Sequence, residues 1–158
     1  MTTVAPSTAR GDWMRYWTNV PADRIRELAR QFTALYQVED SEIPQSGLAL
    51  LPLVDGALGE CYYLGEIPLA KAHVRLISQE GTVVEGAAVV MDDRANLTRA
   101  LAILDGVLAA EWPGHEQAVE LLREGEMAVR ATYADRKKLL AATRVDFSLL
   151  GTEEGDDD

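Results

Sequence analysis

The sequence is short of the residues that build disulfide frameworks and metal centres. It contains one cysteine, Cys61, and two histidines, His73 and His115, in 158 residues. One cysteine can form neither an internal disulfide nor a paired-cysteine metal site, and a single thiol is typical of a reducing compartment. The sequence has no run of about 18 apolar residues that would predict a membrane span. Its polar N-terminus does not have the pattern of a signal peptide. We therefore expect a cytoplasmic protein.

The usual signatures of nucleotide binding and hydrolysis are also missing from the sequence. It has no GxxxxGK[ST] or GxGxxG loop and no GxSxG nucleophile elbow. His115-Glu116 begins an HExxH pattern, but Val119 stands where the second histidine would be. We therefore expect this chain to have no catalytic, cofactor-binding or metal-binding residues of its own.

Basic residues are outnumbered by acidic ones. The chain has 15 Lys and Arg against 26 Asp and Glu, a formal net charge of −11. Five of the acidic residues lie within 153–158, which leaves a net charge of −6 on the rest of the chain. A negatively charged protein surface repels phosphate groups. Neither nucleic acid nor a membrane surface is expected as a partner, and this chain alone is not expected to form a strong nucleotide or phosphonate site.

Hydrophobic spacing predicts helices at both ends of the chain and strands between them. The predicted helices cover Arg10 to Thr18, Pro21 to Tyr36, Asp92-Asp93 to Leu108, and His115 to Ala142. The predicted strands are Leu48 to Val54, Tyr62 to Ile67, Ala70 to Ile77, and Thr82 to Met91, with Gly65 and Pro68 separating the middle two. Because the connections are too short for helical crossovers, the strands should be antiparallel. The predicted class is α+β: N-terminal helices, a small antiparallel sheet of about four strands, and two C-terminal helices.

The domain organisation follows from the same pattern. Residues 1–9 are small and polar and are predicted to be disordered, as is the acidic tail at 151–158. Residues 10–150 are predicted to form a single domain.

Several residues allow two interpretations. His73 could act as a general base or metal ligand, but an outward strand residue or a hydrogen-bonded interface histidine is favoured because no partner ligand is identifiable. His115 is expected to face solvent and Cys61 to be packed and unreactive. Trp13 and Trp17 share one helical face, which could cover the domain's own core or dock onto a partner. Gly125 could weaken or kink the last helix.

The order of short motifs along the chain resembles one known family. Tyr62-Tyr63-Leu64-Gly65-Glu66 leads into a strand with the core Val74-Arg75-Leu76, and Gly47-Leu48 opens the preceding strand. The remaining motifs are Trp13-Met14, Asp105 within the helix after the sheet, and Arg144-Val145-Asp146-Phe147 near the C-terminus. In this order and spacing, over about residues 11 to 150, the chain resembles the PhnG family. It departs from the family at Met91-Asp92-Asp93-Arg94 and at Gln45.

The resemblance implies a role in the carbon–phosphorus lyase core complex, together with the PhnH, PhnI and PhnJ subunits and with PhnL as an additional partner. That complex is expected to join an alkylphosphonate to ATP, releasing adenine and forming ribose 1-alkylphosphonate 5-triphosphate. The resemblance implies that ATP is used by the complex. It also implies that the iron–sulfur and S-adenosylmethionine cofactors belong to PhnJ and that this chain binds no cofactor.

The family motifs also name candidate contact residues. Leu64, Gly65, Glu66 and Arg75 are expected to shape the sheet and its contacts. Arg144, Asp146 and Phe147 are expected to tie the C-terminus to a neighbouring subunit. The remaining candidate contact residues are Asp105, Trp13 and Trp17. Two alternatives stay open: a stand-alone hydrolase or transferase using His73 and carboxylates, and a homo-oligomeric adaptor unrelated to phosphonates.

Overall fold

The computed structural model describes residues 8–143. A 3₁₀ turn at Arg10–Asp12 leads into helices α1 and α2, three strands and two further helices. Their bounds are α1 Trp13–Trp17, α2 Ala22–Leu35, β1 Gln37–Val54, β2 Cys61–Ile77, β3 Val83–Val90, α3 Ala95–Ala109 and α4 His115–Ala142. The α+β class, the helices before the sheet and the two helices after it are confirmed. Of the termini predicted to be disordered, residues 1–7 and 151–158 lie outside the described residues.

The described sheet has three strands in the order β1-β2-β3, all antiparallel, rather than about four. The break predicted at Gly65 and Pro68 does not occur, because both residues lie within β2. Gly65 has φ of +149° and lies where β2 gains one residue over β1, so it forms a bulge inside a continuous strand. Pro68 lies beyond the last pairing of β2 with β3, at a free edge where proline is tolerated.

β1 also begins earlier than the predicted Leu48. Residues from Gln37 to Gln45 pair with the second half of β2, although their sequence is polar and irregular. Two register shifts, after Asp40 and after Glu42, interrupt the alternation of side chains and hide the strand from a period-2 pattern.

α3 lies across the inner face of the sheet and is the centre of the core. Its side chains pack on alternate residues of β2 and β3, and α2 and α4 cover its other side, so that nearly every residue of α3 from Leu97 to Leu108 is buried. The buried residues of the strands are Ala70, Ala72, Val74, Leu76, Ala88 and Val90. α3 begins at Ala95 and not at Asp92-Asp93, because the Asp92 carboxylate accepts the Arg94 backbone N–H (2.8 Å) in a turn before the helix.

α1 packs against α4 through its two indoles and through a glycine. Trp13 and Trp17 are buried in this chain's own core, where the Trp17 Nε1–H donates to the Ala118 carbonyl at 3.1 Å. α4 runs through Gly125 without interruption. A Cβ on Gly125 would lie 2.1 Å from the Tyr16 carbonyl oxygen, so this glycine permits close helix contact.

The C-terminal part of α4 projects from the body. Val119, Leu122 and Val129 are buried, but residues 130–142 are exposed on every side, including Tyr133 and Leu140. No helix within residues 8–143 combines the length and the apolar character needed to cross a membrane.

Candidate functional site

The β1–β2 hairpin continues well past the rest of the sheet. β3 pairs with β2 only from Ala70 to Ile77, so Gly47–Val54 of β1 and Cys61–Leu69 of β2 form a two-stranded ribbon closed by the turn at 55–60. We call residues 47–69 the arm. At about 3.3 Å per residue, the arm extends roughly 26 Å beyond the three-stranded part.

The arm is apolar and exposed. Nine of its large apolar side chains have between 40% and 74% of their surface exposed. They are Leu48, Leu50, Leu51, Leu53, Val54, Leu58, Tyr62, Tyr63 and Leu64. A contiguous apolar surface of this kind marks an interaction site, and an isolated two-stranded ribbon is only marginally stable in water. The arm is therefore the best candidate for the functional surface of the described chain.

Both faces of the arm are apolar. Cross-strand partners share a face, and the face that continues the core side of β2 carries Leu48 opposite Pro68 and Pro52 opposite Tyr63. The opposite face carries Leu53 across from Tyr62. Polar residues alternate with apolar ones along a ribbon that has one solvated face, and this ribbon lacks that alternation.

Hydrogen bonds within the arm shape its tip. The Asp55 backbone N–H donates to the Glu60 carbonyl at 2.8 Å, and the Asp55 carboxylate accepts the Leu58 N–H at 2.8 Å. The Tyr62 hydroxyl donates to the Glu60 carboxylate at 3.1 Å. Gly59, with φ of +70°, occupies the left-handed position that the turn requires. These contacts define the turn while the apolar strands behind it stay uncovered.

Among residues 8–143, the candidate contact residues of the sheet do not lie in one place. Leu64, Gly65 and Glu66 lie together in the arm. Arg75 does not join them; it lies on the outer face of the three-stranded part, where its guanidinium is 3.8 Å from Glu39. Arg144, Asp146 and Phe147 lie outside the described residues.

Asp105 is buried and has a structural role that the sequence did not reveal. Its carboxylate accepts hydrogen bonds from Arg10 Nε at 3.0 Å and Nη2 at 2.6 Å, and from the Ala87 backbone N–H at 3.0 Å. The hydrogen bond to Asp105 raises the pKa of Arg10 above its ordinary value. The carboxylate thus ties the N-terminal turn and β3 to α3. Sequence reasoning missed Arg10, which lies 95 residues from its partner.

The two histidines lie apart and in different environments. His73 points outward from β2, as the favoured interpretation predicted, with Nε2 at 3.5 Å from the Glu85 carboxylate. His115 was predicted to face solvent, and this prediction is wrong. His115 begins α4 on the buried face of the helix, in phase with Ala118 and Val119, and its Nδ1 lies 3.0 Å from the Trp112 carbonyl. Its buried Nε2 has no hydrogen-bond partner among residues 8–143.

The remaining polar candidates do not converge on a common site. Cys61, predicted to be packed, is exposed because it opens β2 within the arm. Asp92 forms an ion pair with Arg94, and Glu124 forms one with Arg24. In the part of the chain that the structure describes, no three His, Cys, Asp or Glu side chains lie close enough to hold a metal ion.

Comparison with known proteins agrees with the resemblance seen in the motifs. The family model described as "Phosphonate metabolism protein PhnG" matches residues 8–151. A relative from Rhizobium meliloti (strain 1021), named "Alpha-D-ribose 1-methylphosphonate 5-triphosphate synthase subunit PhnG", is 35% identical over 106 residues. The aligned part covers 66% of this chain and 64% of the relative, so it spans just under two thirds of that protein. This chain belongs to the PhnG family of phosphonate metabolism proteins.

Proposed function

We propose that this chain is a non-catalytic subunit of a cytoplasmic carbon–phosphorus lyase core complex. Its partners are PhnH, PhnI and PhnJ, with PhnL as an additional partner. In this proposal a phosphonate oxygen attacks C1′ of the ATP ribose, adenine leaves, and ribose 1-alkylphosphonate 5-triphosphate forms with the triphosphate retained. The chain binds no cofactor itself: ATP is used by the complex, and the iron–sulfur cluster and S-adenosylmethionine belong to PhnJ.

One observation carries this proposal beyond family membership: the arm exposes apolar side chains on two faces. Such a surface is expected of a chain that completes its contacts in an assembly. The subunit designation of the Rhizobium meliloti relative supports the same conclusion. The outward, solvent-exposed position of His73 supports a structural role over an acid–base role.

Co-purification tests the proposal directly. This chain would be tagged and co-expressed with untagged PhnH, PhnI and PhnJ from the same source, and the mass of the eluted assembly would be measured. We expect a defined heteromeric complex. A chain that elutes without partners, or as a stable homo-oligomer indifferent to them, would contradict the proposal and favour an unrelated adaptor.

Adenine release distinguishes a structural subunit from a catalytic one. In the assembled system with PhnL, ATP and methylphosphonate, we expect His73→Ala to change the rate by less than about twofold. An essential general base would contribute on the order of 100-fold or more. Omitting this chain altogether should abolish adenine release, because the complex would not assemble. Turnover by the isolated chain that His73→Ala removes would instead establish the enzyme alternative.

A further inference from the structure

The composition and geometry of the arm also restrict what can cover it. The arm has 23 residues, within the roughly 20 to 30 that one side of a stable protein interface contains. It carries three acidic groups, Asp55, Glu60 and Glu66, and no lysine, arginine or histidine. Its apolar side chains lie on both faces, so a flat partner surface would leave one apolar face in water.

The edges of the arm are unsuited to strand addition. Pro52 lies within β1, and Pro68 lies within β2 where that strand no longer pairs with β3. A proline offers no backbone N–H to an incoming strand, and prolines at edges are a common protection against edge-to-edge pairing. Docking therefore uses the faces of the arm, through side chains, and not its backbone edges.

Charge disfavours the two occupants that this chain could itself provide. A second copy would bring another acidic arm and a further net charge of −11, and the 153–158 segment would bring five more acidic groups. Either would set like charges against Asp55, Glu60 and Glu66, which disfavours association. The complementary partner is a different polypeptide with basic groups around an apolar cavity.

We infer that the arm inserts into an apolar cleft of a different polypeptide, which contacts both faces and presents lysine or arginine side chains to the three acidic residues. This inference rests on the proposed function, since the assembly supplies the cleft.

Thiol labelling reports directly on burial of the arm. Cys61 is the only cysteine of the chain and is exposed in the arm, so a maleimide reagent should label it rapidly in the free chain. In the co-purified complex we expect labelling of Cys61, followed by mass spectrometry of its own peptide, to slow at least tenfold. A complex that forms with Cys61 fully reactive would overturn the inference while leaving the proposed function intact.

Paired substitutions test whether both faces are contacted. Leu50→Ser/Tyr63→Ser alters one face and Leu53→Ser/Tyr62→Ser alters the other. We expect each pair to reduce the yield of co-purified partners at least tenfold while the free chain keeps its fold by circular dichroism. Leu35→Ser/Met127→Ser removes comparably exposed apolar side chains from the body and should leave the yield unchanged.

The other possible outcomes of these experiments would each contradict the inference. Loss of assembly with only one arm pair would show docking on a flat surface and overturn the cleft. Equal loss with the body pair would overturn the assignment to the arm. A free chain that is dimeric by light scattering, with Cys61 protected, would identify a second copy as the occupant. If the wild-type chain forms no complex, the proposed function fails and this inference fails with it.

Discussion

Asp105 connects three parts of the fold through one buried carboxylate. Its side chain is 4% exposed, whereas that of its partner Arg10 is 54% exposed. Without Arg10, the buried Asp105 carboxylate keeps only the Ala87 backbone N–H as a hydrogen-bond donor. Without Asp105, that N–H loses its acceptor. We expect Arg10→Ala and Asp105→Ala each to lower the free energy of unfolding by about 2 to 3 kcal/mol.

A double-mutant cycle measures how far the two residues act together. Because each single substitution breaks the same interaction, the double variant should lose less free energy of unfolding than the two single variants added together. We expect a coupling energy of about 1 to 2 kcal/mol, measured by urea unfolding. The exposed Arg30–Glu27 pair on α2 is the matched control and should couple by no more than about 0.5 kcal/mol. Additive behaviour of Arg10 and Asp105 would show that the pair is not a structural link.

Asp92 makes the stability depend on pH in the acid range. A hydrogen bond from the Arg94 side chain lowers the pKa of Asp92 from 3.8 to about 2. A group whose pKa falls on folding contributes stability above its ordinary pKa, and that contribution is lost as the pH drops through about 2. Asp92→Asn should therefore lower the urea midpoint by a few tenths of a molar at about pH 6 and have little effect at about pH 1, where Asp92 is protonated in the folded chain. A difference that persists at the lower pH would assign the effect to packing and not to charge.

At the scale of elements, α3 packs closely against β3 where Gly106 of the helix meets Gly86 of the strand. A Cβ on Gly86 would lie 2.0 Å from the Ala102 carbonyl oxygen and 2.7 Å from the Gly106 nitrogen. Because these are backbone atoms, a Cβ at position 86 could be accommodated only if the helix moved away from the sheet. We expect Gly86→Ala to lower the free energy of unfolding by about 3 kcal/mol or more. Gly47→Ala, where a Cβ would meet nothing within 4 Å, should change it by less than about 0.5 kcal/mol. Equal stability of the two variants would contradict this packing.

The sequence predicted those elements whose signal is local. The periodicity of α2 and α4 and the β-branched run of β3 match the structure to within a few residues. β2 was split because Gly65 and Pro68 look like breaks in a local pattern. Pairing with β1 carries the strand through both of them, and such pairing depends on residues distant in sequence.

The same limit applies to the candidate site. Leu64, Gly65 and Glu66 were expected to form contacts, but their position in an uncovered arm depends on β3 ending opposite Ala70. His115 was wrongly predicted to face solvent because it is polar and begins its helix, although it shares the helical phase of the buried Ala118, Val119 and Leu122. The composition of residues 47–69 does carry a signal for the arm, since this segment is rich in apolar residues and has no basic ones.

At the scale of the whole molecule, charge and apolar surface should govern different steps of assembly. The net charge of −11 acts over the distance at which partners approach, and salt screens such forces beyond about 10 Å at 0.1 M. The apolar side chains of the arm act only after contact. Long-range charge therefore affects the association rate, whereas buried side chains affect the dissociation rate.

The association and dissociation rates should therefore respond to different changes. For the tagged chain binding its preassembled partners, raising NaCl from about 50 mM to about 500 mM should slow association on the order of tenfold and change dissociation little. Leu50→Ser/Tyr63→Ser should instead speed dissociation by about 100-fold or more, because each buried side chain contributes about 1.5 to 3 kcal/mol. Surface plasmon resonance measures both rates. If the arm variant slowed association and left dissociation unchanged, the arm would guide the encounter without being buried in the final complex.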